Sequence, residues 1–247
     1  MTDLDFSGKT AVVTGASRGI GRLISVGLTR RGARVLATAR NMDSSPGTGG
    51  TLRETAAMMD AAGDGSVAVP GTITDTAGAN SIIERAMAEF GRIDIMVNNA
   101  GVHPHVSVSE MTDEQWDDMI AVNLTAPFLL TRAVLPIMKE QRTGNIMGVS
   151  SGAGSTNPRA DSTGYGATKA ALDRMYFNLA EEVKEFEIAV NTWMPGVLLT
   201  DMNAARGVGE PVEVAEPSAL WVIAQDAATF TGQNVRREDF GTKWGAL

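Results

Sequence analysis

Cysteine is absent from the 247 residues and histidine occurs only twice. The chain therefore has no disulfide, no thiolate nucleophile and no thiolate metal site, and too few imidazoles for a histidine-rich one, so no metal is expected. A basic excess is missing as well: 21 Lys and Arg stand against 29 Asp and Glu, for a formal charge of −8. That balance argues against a general affinity for nucleic acid or anionic membrane, while leaving room for a local basic site that takes an anionic ligand. The opening MTDLDFSGKT carries no basic segment followed by an apolar stretch, and no unbroken apolar run of about 18 residues occurs. Neither secretion nor a membrane span is expected, and the cytoplasm is the default location. What remains is an ordinary globular composition, 43% hydrophobic and 20% charged. The length suits one large α/β domain over residues 1–247, burying roughly three quarters of the surface that the unfolded chain exposes.

Short β-branched runs alternate with longer amphipathic stretches. Strands are predicted at Thr10–Thr14, Arg34–Thr38, Ser66–Val69, Ile93–Val97, Asn145–Val149, Ile188–Trp193 and near Gln233–Arg236. Helices are predicted at Gly19–Arg31, near Thr51–Ala62, at Thr76–Phe90, Thr112–Lys139 and Thr163–Glu185, and near Pro217–Gln225. Each parallel connection needs a crossover, so this alternation predicts an α/β fold: a single-domain, Rossmann-like, doubly wound parallel sheet with helices on both faces. Ligands then belong at the carboxyl ends of the strands. The stretch Asn41–Gly50, rich in Gly, Ser and Pro, reads as an exposed loop on that side.

A glycine-rich turn, Thr14-Gly15-Ala16-Ser17-Arg18-Gly19-Ile20-Gly21, joins the first strand to the first helix. Gly15 permits a tight turn, and Gly19 and Gly21 let a pyrophosphate approach the helix amino terminus, where free N–H groups favour anions. Three glycines alone are often only a loop; their place between strand and helix gives them meaning. Such a site selects its dinucleotide at the end of the second strand, where a carboxylate holds a ribose 2′-hydroxyl and a cation accommodates a 2′-phosphate. Here that position reads Thr38-Ala39-Arg40, with no acid, and Arg18 can reach in from the turn. Guanidinium suits phosphate geometry, so NADP(H) is the expected cofactor and NAD(H) the second choice. Two solvated surface arginines are the plainer alternative.

Tyr165 and Lys169 lie four apart at the start of a helical pattern and so share one face. A phenol near pKa 10 is a poor base near neutrality, and an adjacent ammonium lowers it. The pairing is common by chance and gains weight from its company. Ser150-Ser151 follow a strand at the ligand end of the sheet, where a hydroxyl can donate to a carbonyl oxygen as charge develops on it. Asn123 and Pro127 form a subtler pair: proline lacks the N–H that would bond the Asn123 carbonyl, which predicts a kink and a freed oxygen able to hold a water that relays protons from Lys169.

Taken together, these motifs resemble the short-chain dehydrogenase/reductase family in its compact branch, whose chains are near this length. The resemblance runs through TGASRGIG at Thr14–Gly21, NNAG at Asn98–Gly101, Asn123, Ser150-Ser151, YGATK at Tyr165–Lys169 and PGVLLT at Pro195–Thr200. It implies that Tyr165 is the general acid and base, that Lys169 lowers its pKa and binds the nicotinamide ribose, that a serine polarises the carbonyl and that Asn123 supports a proton relay. Ser151 departs from the family's serine-to-tyrosine spacing by one residue and Ser150 by two, which favours Ser151. The cofactor set implied is Gly15, Ser17, Arg18, Gly19, Ile20, Gly21, Arg40, Thr72, Ile73, Asn99, Ala100, Gly101, Tyr165, Lys169, Pro195, Gly196, Val197 and Thr200. The activity implied is that of an NADP-dependent carbonyl reductase or alcohol dehydrogenase acting on a small ketone or secondary alcohol. By analogy, the chain pairs its long helices into a homodimer or homotetramer.

Departures from the pattern matter too. Thr72 stands where relatives carry an adenine-binding Asp, the substrate lid at about 196–216 is short, and the ending GQNVRREDFGTKWGAL lacks the usual acidic-glycine-glycine. That ending and the Thr48–Thr55 stretch look like the hydroxysteroid-dehydrogenase-like subgroup. His103 and His105 border the expected pocket, and Trp193, Met194, Leu198, Leu199 and Met202 offer it an apolar rim. Two alternatives stand beside the reductase: a regulatory cofactor-binding protein on the same fold, and a non-redox epimerase or dehydratase.

Overall fold

The apolar runs form one parallel sheet in the computed structural model, which describes residues 4–43, 50–155, 158–203 and 207–245. Its strands are β1 (Thr10–Thr14), β2 (Arg34–Ala39), β3 (Val67–Pro70), β4 (Ile95–Asn98), β5 (Gly144–Val149), β6 (Ile188–Met194) and β7 (Asn234–Arg236). They lie in the order β3-β2-β1-β4-β5-β6-β7, every neighbour parallel. Successive side chains point to opposite faces, and both faces are dry. Ala11, Val13, Ile95, Val97 and Trp193 face one core, whereas Val12, Met96, Ile146, Ile188 and Val190 face the other. The chain winds outward from β1 to β3 and then crosses back to β4. The crevice between the carboxyl ends of β1 and β4 is therefore the topological switch point.

Helices cover the two faces. They are α1 (Gly19–Arg30), α2 (Leu52–Ala62), α3 (Thr76–Phe90), α4 (Asp113–Ile120), α5 (Ala126–Gln141), α6 (Thr163–Glu182) and α7 (Glu216–Ile223). Their starts follow local chemistry: Thr51 with Glu54, and Thr112 with Gln115, each close a capping box, and Asp75 caps α3. Gly91 ends α3 in the left-handed region. β4 begins two residues later than predicted; Asp94, just before it, still bonds through its backbone to Thr10 and Asn145, and its buried carboxylate accepts from the Thr10 amide at 2.9 Å and from Arg92.

At the predicted proline kink stands a π-helical turn, Ala121–Thr125, between α4 and α5, in which the Ala126 amide reaches back to the Ala121 carbonyl. A widened turn absorbs the missing Pro127 donor without breaking the helical run. That run, Asp113–Gln141, is also long and apolar enough by composition to cross a membrane, with a mean hydropathy of 1.6 over an 18-residue window within it. In the fold its apolar face, through Leu130, Val134 and Met138, is spent on the core against β-strands. The predicted Asn41–Gly50 loop lies partly outside the described residues, at 44–49.

Candidate active site

Close packing defines the first half of the site. Gly15 and Gly19 have φ of +64° and +53°, which L side chains rarely adopt. A Cβ on Gly15 would stand 2.8 Å from the Ala100 Cα, and one on Gly21 would stand 2.3 Å from the Gly15 carbonyl oxygen. The turn is thus pressed against the end of β4, where Asn99 Nδ2 donates to the Thr14 and Gly15 carbonyls at 2.8 and 3.2 Å. Thr14 Oγ1 accepts from the Asn99 and Ala100 amides and donates to the Val97 carbonyl, joining the ends of β1 and β4. Thr55 Oγ1 and Arg22 hold the far side through the Ala16 and Ser17 carbonyls. The N-cap residue of α1, Arg18, puts no side-chain cap on its amino terminus. A backbone cradle with a bare helix terminus fits a pyrophosphate, so the residues suit a dinucleotide.

Around that cradle the predicted cofactor residues converge unevenly. Arg40 is exposed at the end of β2, whereas Arg18 is already held by Asp201 at 2.9 Å. Thr72 is exposed and Ile73 buried just beyond β3. Ile20 lies half-buried in the first turn of α1, and Thr200 closes over the turn, its Cγ2 3.4 Å from where a Gly19 Cβ would stand. Pro195, Gly196 and Val197 leave β6 at the same sheet end, with Gly196 at φ +76°.

The residues expected to handle protons come from three places: α6, the segment just past β5 and the π-helical turn. Tyr165 and Lys169 are buried one turn apart on α6, and Ser151 lies just past β5. The Ser151 side chain faces the Tyr165 phenol, and its hydroxyl accepts from the Ala153 amide at 3.2 Å. Lys169 Nζ donates to the Val149 carbonyl at 2.7 Å and sits 5.7 Å from the Tyr165 ring centroid. Burial pushes the Tyr165 phenol up to about 12, with Ser151 and Arg159 pulling the other way. The lowering expected from the Lys169 ammonium is not among the influences on the phenol; the opposing pulls come from Ser151 and Arg159, and desolvation exceeds them because a phenolate loses more solvation than a phenol. Burial likewise brings Lys169 down to about 8.

Asn123 enters through its side chain as much as its backbone. Its Oδ1 accepts from the Val102 amide at 2.8 Å, and its Nδ2 donates to the Val102 carbonyl and to Thr168 Oγ1. Thr168 in turn donates to the Tyr165 carbonyl at 2.7 Å. The π-helical turn, the loop after β4 and α6 are thereby clamped together. Nothing in the spacing of Val102 or Thr168 marks them; only the contact does.

The pocket wall was less legible. The His103 ring stacks on Tyr165, with centroids 4.2 Å apart and planes 9° from parallel, and its Nε2 lies 3.2 Å from Ser162 Oγ. His105, at φ +57°, places Nε2 2.8 Å from the Met202 carbonyl of the lid. Arg237, from the unusual ending, donates to the Pro195 carbonyl at 2.7 Å and pairs with Glu210. The segment after β6, where a short lid was expected, comes back at Glu210, whose amide donates to the Val197 carbonyl, so it is stapled close to the end of β6. Its residues 204–206 lie outside the described set.

Known proteins share this architecture. The chain is 39% identical to the 3-oxoacyl-[acyl-carrier-protein] reductase FabG of Escherichia coli, over 94% of this chain and 96% of the relative. It is 34% identical to an uncharacterized oxidoreductase of Thermotoga maritima, over 84% and 79%. Among solved structures, a metagenomic short-chain oxidoreductase in complex with NADP superposes with a TM-score of 0.80 at 33% identity, covering 95% of this chain and 99% of that one. A Beutenbergia cavernae structure with bound NADP gives 0.84 at 28% identity, over 94% and 96%. The family model for short chain dehydrogenases matches residues 9–210, and with it the chain belongs to the short-chain dehydrogenase/reductase family, oxidoreductases that work with a nicotinamide cofactor.

Proposed function

We propose that the protein is an NADP(H)-dependent carbonyl reductase or alcohol dehydrogenase, interconverting a ketone and a secondary alcohol. The observation that carries the reading is the convergence of Ser151, Tyr165 and Lys169, the last two buried one turn apart on α6 and the first just past β5, at the sheet end that also holds the glycine cradle. The amides of Gly19, Ile20 and Gly21 would hold the pyrophosphate, Arg40 and Arg18 the 2′-phosphate, and Lys169, Pro195, Gly196, Val197 and Thr200 the nicotinamide end. Bound cofactor supplies or accepts the hydride. Arg18 serves the phosphate by exchanging Asp201 for it, a swap of one anion for another.

In the reductive direction Ser151 donates to the substrate carbonyl oxygen, and Tyr165 Oη delivers its proton to that oxygen as negative charge develops there. A phenol held near 12 is in its donor form throughout the neutral range. Lys169 stands by as the cation that eases loss of that proton, and the Asn123 clamp fixes the distance between α6 and the loop after β4. A 3-oxoacyl thioester, the substrate class in the name of the Escherichia coli relative, is one such ketone and belongs in the assay panel. The test follows absorbance of reduced nicotinamide with simple ketones, β-keto thioesters and secondary alcohols. Tyr165→Phe should lose at least about a hundredfold in kcat. Wild-type turnover in that variant would overturn the mechanism, and cofactor binding without turnover on any substrate would favour the regulatory reading.

We also propose self-association through α5 and α6, where Phe128 and Phe177 stand 46% and 54% exposed. Large aromatic surface of that kind is unusual on a monomer.

A further inference from the structure

The row begun by Tyr165 and Lys169 continues. One turn further along α6 stands Asp173, so the three residues occupy positions i, i+4 and i+8 on one helix face. Both carboxylate oxygens of Asp173 are shielded from solvent, and the side chains of Ser150 beyond β5, Thr192 on β6 and Asn234 on β7 face them. None of these completes a well-aligned hydrogen bond to either oxygen, and Ser150 Oγ is itself buried without a partner. A carboxylate out of water and underserved by neutral donors is costly unless a cation stands near. Among the described residues, the charged group acting on Asp173 is Lys169, and the charged group acting on Lys169 is Asp173. The ammonium's other neighbours are neutral: the Val149 carbonyl, its hydrogen-bond acceptor, and the Gly101 backbone. Tyr165 additionally feels Arg159 and lies stacked on His103.

We propose that Asp173 is a positioning residue for catalysis: its buried carboxylate keeps the Lys169 ammonium charged and aligned along the helix face, so that Tyr165 exchanges its proton beside a cation. The inference rests on the Tyr165–Lys169 reading above and adds to it a residue outside the serine, tyrosine, lysine and asparagine set. The sign follows from the charges. Burial lowers Lys169 to about 8 and Asp173 opposes that pull, so removing the carboxylate lets Lys169 discharge at lower pH. The alkaline limb of the reduction rate, where charged Lys169 is lost, then moves to lower pH as well.

Asp173→Asn keeps the shape and removes the charge. Two measurements read it: the pH profile of kcat for ketone reduction, and the ¹³C NMR titration of lysine Cε in cofactor-free protein. The chain has five lysines, so the Lys169 signal is assigned by its loss in Lys169→Met. Both the limb and the NMR titration should fall by about one pH unit, with the rate on the acid side largely kept, and Asp173→Glu should restore the wild-type profile. An unmoved Lys169 titration in folded Asp173→Asn overturns the proposal, as does a loss of rate that is uniform across pH. Should Asp173→Asn fail to fold, the wild-type titration decides: the Lys169 signal shows a second inflection as the neighbouring carboxylate ionises, and a single inflection overturns it. Turnover surviving Tyr165→Phe would remove the reading underneath, whereas an unshifted Asp173→Asn in a Tyr165-dependent enzyme removes this inference alone.

Discussion

Burial raises Tyr165 to about 12 and lowers Lys169 to about 8, so the same dry pocket makes the phenol a weaker acid and the ammonium a stronger one. The two shifts move the pair apart in acidity, from ordinary values of 10.0 and 10.5 to about 12 and about 8, so the phenol holds its proton firmly and the ammonium becomes the readier of the two to release one. At the other end of the cofactor cradle, single residues decide which dinucleotide enters. Arg40 is exposed beside Ala39, where an acid would hold a ribose hydroxyl. Replacing Ala39→Asp together with Arg40→Leu should lower the NADPH-over-NADH preference in kcat/KM by about tenfold or more, the worth of one charge-assisted hydrogen bond. Selectivity unchanged in the double variant would mean that the 2′-phosphate is read elsewhere.

Among the elements, α1 is placed by what it cannot contain. A Cβ at Gly21 would meet the Gly15 carbonyl oxygen at 2.3 Å and Asn99 Nδ2 at 2.5 Å, and neither is the free end of a flexible chain. Gly21→Ala must therefore push the helix from the turn or break the Asn99 bonds that tie β1 to β4. The cost should be about 1–3 kcal/mol, typical of overpacking. Thermal unfolding with and without NADPH measures it, and the stabilisation by cofactor should shrink along with the melting temperature. A variant that melts and binds as wild type would show that the turn yields freely. The π-helical turn at Ala121–Thr125 teaches a related lesson, since Pro127 forbids one α-helical bond and the chain answers with a widened turn just before it.

For the molecule as a whole, the exposed aromatic surface on α5 and α6 is the feature that a lone chain does not explain. Phe128 borders a groove lined by Leu135, Met175 and Leu179, with a volume of about 470 Å³. If a second copy covers this face, Phe128→Ser with Phe177→Ser should convert the dimer to monomer in light scattering while leaving the circular dichroism of the fold intact. An oligomer of unchanged mass would place the interface on another face.

Much of this protein was readable along the chain because its signals are local. Alternation of strand and helix gave the sheet, glycines between strand and helix marked the phosphate turn, and a four-residue spacing put Tyr165 and Lys169 on one face. Strand limits slipped by a residue or two, as at Asp94, whose carboxylate is claimed by Thr10 from a distant part of the chain. The stack of His103 on Tyr165, the Asn123–Thr168 clamp, the Arg237 hold on the lid and the approach of Ser150, Thr192 and Asn234 to Asp173 join residues far apart in sequence. The acidities belong to the same class, because desolvation depends on everything packed around a group. Sequence by itself determined which chemical groups this protein carries and the order of its elements; only tertiary structure decided how dry those groups are and which neighbours they answer to, since burial and long-range contact are made by folding and not by local pattern.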